Sequence, residues 1–156
     1  MKQENSEKRI KKMREMDEAF RQLRRLIHAE WNRFNVKGLG MTDAKMVLLL
    51  SEHGPQKASV MAELLQITSG AVTGIADRLI NFGYIDRERS EEDRRIVLLT
   101  ITDEGRQLVD GIMRVREDLM LRLYEGFSLE DMDITVSMFT RMSENLERKR
   151  EDSSDA

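Results

Sequence analysis

The stretch Ile67–Gly105, ITSGAVTGIADRLINFGYIDRERSEEDRRIVLLTITDEG, carries three local codes in one run. Thr68 or Ser69 offers a helix N-cap, because a hydroxyl oxygen accepts from an N–H that the first turn leaves unbonded. Val72, Ile75, Ala76, Leu79 and Ile80 follow at i, i+3, i+4, i+7 and i+8, which is one apolar stripe of an α-helix. Gly83 then stops the helix at the position where a left-handed backbone is needed. Tyr84–Arg89 and Ile96–Ile101 are rich in strand formers and flank the polar turn Ser90–Arg95, so they read as a hairpin. A helix followed by a basic-tipped hairpin can lie in one groove of duplex DNA and reach into the next.

Outward from this run the chain reads as helices. On the N-terminal side, Ala58–Leu65 is a short helix that turns Met61, Leu64 and Leu65 inward, and Gly54-Pro55 is a turn signal. Thr42 and Asp43 start a helix that runs to His53 on Val47, Leu48 and Leu50. Ile10, Met13, Phe20, Leu23, Ile27, Trp31 and Phe34 predict one long amphipathic helix from about Ser6 to Val36, ended by Gly38 and Gly40. On the C-terminal side Thr102 caps a long helix, with Asp103 and Glu104 suiting its positive end. That helix is expected to carry Leu108, Ile112, Val115, Leu119, Leu123 and Phe127. Ser128 with Asp131 starts the last helix, whose tail is expected to fray from about Arg148.

The predicted fold class is mainly α with a small β-hairpin wing (α+β). Residues 1–40 read as an N-terminal dimerisation helix, 41–102 as the reading lobe and 103–156 as C-terminal dimerisation helices of one composite domain. Long amphipathic helices at both ends cannot bury their stripes on so small a centre, so a symmetric homodimer is expected.

Composition narrows the function classes. Of 156 residues, 35% are charged and 40% apolar, which argues against both a membrane protein and global disorder. The charged N-terminus lacks the apolar core of a signal peptide, so a cytoplasmic location with no membrane partner is expected. The absence of cysteine excludes disulfides and thiolate metal sites. His28 and His53 do not form a metal-pair spacing. No nucleophile–base pair or phosphate loop stands out, so neither an enzyme, a cofactor nor a metal is expected. The net charge of −3 points away from a general DNA coater and towards a locally basic, specific binder.

With the stripe of the Thr68–Phe82 helix buried, its outward face carries Gly70, Thr73, Gly74, Asp77 and Asn81, flanked by Ser69 and Arg78. Small and hydrogen-bonding groups suit a helix pressed into a major groove. Gly74 costs a mid-helix position roughly 1 kcal/mol against Ala, which points to close approach by a partner. At the turn, Asp93 is placed to hold an arginine two residues on, so that a pre-ordered Arg95 enters a narrow minor groove beside Arg94. Arg87 and Arg89 alternate on the preceding strand and are placed to meet the backbone. The competing reading is a helical protein-interaction module that keeps the fold without DNA binding, supported by the acidic net charge, Gly74 and the mixed-sign wing.

Asp77-Arg78-Leu79 and, after it, GYIDRERSEEDRRIVLLTITDEG resemble the winged helix–turn–helix segment of the MarR family of bacterial transcriptional regulators. The family pattern, DxR, a strand and then LT-x2-G, is met by Asp93, Arg95, Ile101 in place of Leu, Thr102 and Gly105. The resemblance implies a dimeric, sequence-specific regulator of double-stranded DNA, most naturally a repressor on a pseudo-palindromic operator. It places Ser69, Thr73 and Arg78 at the major groove or its backbone and Arg95 in the minor groove, oriented by Asp93. Two departures stand out: Gly74 where many relatives carry a larger polar or basic residue, and Thr68 where some carry Asp. The resemblance also implies a cleft for a small aromatic or anionic ligand, with Phe20, Trp31, Phe34, Met41 and Met46 as candidate lining. At helical spacing such residues are more often plain core.

Overall fold

The computed structural model describes residues 2–33 and 37–154. In order it holds α1 (Lys2–Arg33), α2 (Met41–His53), β1 (Gln56–Lys57), α3 (Ala58–Leu65), α4 (Ser69–Asn81), β2 (Ile85–Arg89), β3 (Val97–Ile101), α5 (Asp103–Leu123) and α6 (Leu129–Ser154). The chain forms two compact units, Met1–Leu119 and Met120–Ala156.

The first unit is built on the apolar faces that the sequence marks. Val72, Ile75, Ala76 and Leu79 of α4 are buried, together with Val47 and Leu50 of α2 and Met61 of α3. Leu99 of β3 and Leu108 and Ile112 of α5 complete that core. α4 starts where Thr68 accepts from the Ala71 N–H at 3.2 Å. It ends at Gly83, whose φ of +77° is the left-handed turn required there.

Three features differ from the sequence expectation. The hairpin is two-thirds of a sheet of order β1-β3-β2, because Gln56 and Lys57 pair antiparallel with Leu99 and Leu98. Two residues are too few to show the alternation by which a strand is read. The long helix after Thr102 stops at Leu123 rather than carrying Phe127. Gly126 takes φ +80°, and Phe127 turns back to set its ring edge-on against Tyr124 at 5.8 Å. Finally, the helical range of α6 runs to Ser154, past Arg148.

In the second unit Ser128 and Asp131 cap α6 reciprocally. The Ser128 hydroxyl and N–H both donate to Asp131 Oδ2, at 2.7 and 2.9 Å, while the Asp131 N–H donates to Ser128 Oγ. These bonds, the hydroxyl's first, hold the Asp131 carboxyl below its usual range. Both units leave long apolar rows uncovered: Ile10, Met13, Met16, Phe20 and Leu23 on α1, and Ile134, Met138, Phe139 and Met142 on α6.

Candidate nucleic-acid interface

Helices α3 and α4 form the expected pair. Gln66 takes the left-handed conformation at φ +55°, and the Ile67 N–H donates to Ala62 O, which closes α3 and redirects the chain into α4. Ser69, Gly70, Thr73, Gly74, Asp77 and Arg78 are all exposed on α4. A Cβ built on Gly70 or Gly74 would meet nothing within 4 Å. No neighbour among the described residues therefore demands glycine at either position. The Thr73 hydroxyl donates to Ser69 O at 3.1 Å, which leaves its lone pairs facing outward.

Two of the candidate arginines are committed within the lobe. Arg78 Nη2 donates to Asp43 Oδ1 at 2.6 Å, across 35 positions of sequence. Asp43 is buried at the start of α2, and its other oxygen accepts from the Gly40 N–H at 3.1 Å. One carboxylate thus ties the first turn of α2 to α4. Asp43 was legible only as a helix start; nothing in its spacing identified the guanidinium it would meet. Arg87 Nη2 donates to Asp77 Oδ1 at 2.7 Å, joining β2 to the outward face of α4.

That second pair settles how helix and wing are disposed. Side chains two apart on a strand share a face, so Arg89 projects from the same side of β2 as Arg87, the side that meets Asp77 of α4. Beyond it the Ser90–Ile96 turn is closed by Ser90 N–H to Ile96 O and Ile96 N–H to Asp93 O, both at 2.9 Å. Arg89 and Arg94 have no ion-pair partner among the described residues, and with Ser90 and Glu91 they line a shallow recess. Asp93 does less for Arg95 than its spacing suggests. Its Oδ1 accepts from the Arg95 backbone N–H at 2.9 Å, whereas the guanidinium Nε stays 3.9 Å away on a side chain that is 95% exposed. The carboxylate shapes the turn; the guanidinium reaches into solvent.

The base of the wing explains Thr102 and Gly105. The Thr102 hydroxyl donates to Gly83 O at 2.7 Å and accepts from the Gly105 N–H at 3.0 Å. A Cβ on Gly105 would stand 2.1 Å from Tyr84 O. The end of α4, the start of β2 and the start of α5 are thereby clasped together.

On the opposite flank of α2 lies a cleft of ≈ 260 Å³, mostly apolar, in which Trp31, Met41, Leu48, Ile112 and Leu119 are joined by the cations of Lys45 and Arg116. Trp31 is held in place by donating from Nε1 to Leu39 O at 3.0 Å. Of the candidate lining, Trp31 and Met41 belong to the cleft. Met46 is instead fully buried in the core and Phe20 stands half exposed on α1; Phe34 lies outside the described residues. The two cations were missed, although Arg116 follows Ile112 by four and so shares its helix face. Among the described residues no cluster could hold a metal, and no helix is long and apolar enough to cross a membrane.

A model of the MarR family matches residues 39–97, the span from just before α2 to the first residue of β3. The HTH-type transcriptional regulator YkoM of Bacillus subtilis is 31% identical over 104 residues, covering 67% of this chain and 68% of its own. The chain belongs to the MarR family. It is a DNA-binding transcriptional regulator of winged helix–turn–helix fold. The transcriptional repressor MdtR, also of Bacillus subtilis, is 35% identical over 95 residues, 60% of this chain and 61% of the relative. Among solved folds, Bordetella bronchiseptica BpsR superposes with a TM-score of 0.73 over 81% of this chain and 91% of its own, at 20% identity. The work on BpsR concerns regulation of its DNA binding by 6-hydroxynicotinic acid.

Proposed function

We propose that this MarR-family chain is a repressor that binds a pseudo-palindromic operator as a homodimer. In this reading Ser69, Gly70, Thr73 and Gly74 of α4 meet the major groove, while Arg89, Arg94 and Arg95 carry the wing across phosphates to the adjacent minor groove. The observation that carries it is the junction of the open face of α4 with the arginine-bearing face of β2 through Asp77 and Arg87. Repression is supported by the similarity to MdtR. Pairing of residues 1–40 and 103–156 with a second copy is supported by the uncovered apolar rows of α1 and α6. Two-fold symmetry would set the recognition helices about one helical turn, roughly 34–36 Å, apart. Arg95→Ala weakens binding to a duplex selected from a random pool by roughly 1–3 kcal/mol, while light scattering still gives two chains per particle. Unchanged affinity in that titration removes Arg95 from the interface.

The cleft beside α2 supports release by a small ligand. Apolar walls with two cations that have no ion-pair partner among the described residues suit an aromatic carboxylate, the chemistry of the compound studied with BpsR. Trp31 is the only tryptophan in the chain, so its fluorescence reports on the cleft directly. A titration with 6-hydroxynicotinic acid and related aromatic acids should change that signal saturably and free the selected duplex. A signal that stays flat for all of them denies the cleft this role.

A further inference from the structure

We infer that Asp77 withholds the Arg87 cation from the DNA backbone, and that this restraint sharpens discrimination between the operator and arbitrary sequence. The inference rests on the DNA-binding reading above and concerns which cations take part.

Asp77 follows Gly70 by seven, Thr73 by four and Gly74 by three, which puts it on the face that α4 offers to a partner. A bare carboxylate there would repel phosphate. Arg87 neutralises it at 2.7 Å, and Arg87 is fixed at its other end because its backbone N–H donates to Asp86 Oδ1, also at 2.7 Å. Both side chains are about half exposed, at 43% and 53%, so the pair is not there to satisfy burial. Exposed pairs of this kind contribute little to stability.

The neighbouring groups make the restraint selective. Arg78, one residue along α4, is spent on Asp43. Arg89 lies two residues along β2 on the same face and has no carboxylate partner among the described residues. One strand therefore presents one held guanidinium and one free. Each phosphate neutralised adds affinity through counterion release regardless of sequence. Holding Arg87 back thus removes binding that every duplex would share.

The test uses the full chain and follows anisotropy across a salt series, on a short duplex of arbitrary sequence and on a duplex that the wild-type chain selects from a random pool. Asp77→Asn frees Arg87, so binding to the arbitrary duplex tightens and its log–log salt slope steepens by about 1 per subunit. The preference for the selected duplex narrows. Adding Arg87→Gln to Asp77→Asn abolishes the gain, and Asp77→Glu, which keeps the pair, behaves as wild type. An unmoved slope in Asp77→Asn, or equal losses on both duplexes at an unchanged melting temperature, overturns the inference. So does an Asp77→Glu chain that behaves like Asp77→Asn. Those results leave the DNA-binding reading standing, whereas a wild-type chain that retains no duplex overturns both.

Discussion

Gly105 and Gly74 sit in two helices of the same compact unit, and a methyl group added to each would meet opposite surroundings. At Gly105 the Cβ would stand 2.1 Å from Tyr84 O and 2.8 Å from Ile101 Cγ1. At Gly74 it would touch nothing within 4 Å. The first glycine is required by the protein's own packing, since α5 must begin hard against the strand–helix junction that Thr102 clasps. The second costs the helix stability with no internal return. Where packing does not require a glycine, something outside the chain is the natural reason for it.

The comparison extends to the charged groups. Behind the reading face, Asp43 is buried and serves two partners, the Gly40 N–H and the Arg78 guanidinium. At the wing tip Arg95 is almost wholly in solvent and its carboxylate neighbour is spent mainly on the backbone. The rear of the lobe is saturated; the front is left with open donors and open space. Open donors and unpartnered guanidiniums gathered in this way suit an anionic partner.

The largest effect that would test this contrast lies at the rear. Gly105→Ala forces Tyr84 O away and breaks its bond from the Thr102 N–H, 3.1 Å long in the native packing. Overpacking against backbone cannot be relieved by a rotamer change, so a loss of about 3 kcal/mol or more is expected in a urea melt. Binding to the selected duplex should fall only in step with the folded fraction. A variant as stable as wild type would show that α5 can slide, and the clasp would lose its meaning.

How much of this was readable beforehand follows the range of each interaction. The α4 stripe, the Gly83 stop, the hairpin strands and the Thr102 cap are local, each declared within a few residues, and the folded chain has them where expected. Interactions that join distant segments were not legible. Nothing near Arg78 shows that Asp43, 35 positions earlier, will take its guanidinium, because 26 cations and 29 carboxylates offer too many pairings. The same holds for Asp77 with Arg87, and for Lys45 with Arg116, which only the packing of α5 on α2 brings to one cleft. Strand β1 was missed for a different reason, being a two-residue addition to an edge. Met46 follows the plain-core alternative, because a fully buried core methionine and a cleft-lining one share the same helical spacing.

The smallest expected effect is the sharpest, because its two readouts should move in opposite directions. Gly74→Ala removes backbone entropy from the unfolded chain and adds no clash, so the melt should show a gain of roughly 0.5–1 kcal/mol. The same methyl group would stand between α4 and whatever approaches it. Binding to the selected duplex should therefore weaken by about 1 kcal/mol, the low end of the cost of losing one base-pair contact. Ser69, Thr73 and the wing arginines stay unaltered in this variant, so the loss would isolate close approach from hydrogen bonding and charge. If stability and affinity both rise, the groove does not come near Gly74 and the reading face begins elsewhere on α4. If both fall, the position has an internal neighbour after all, and its contrast with Gly105 disappears.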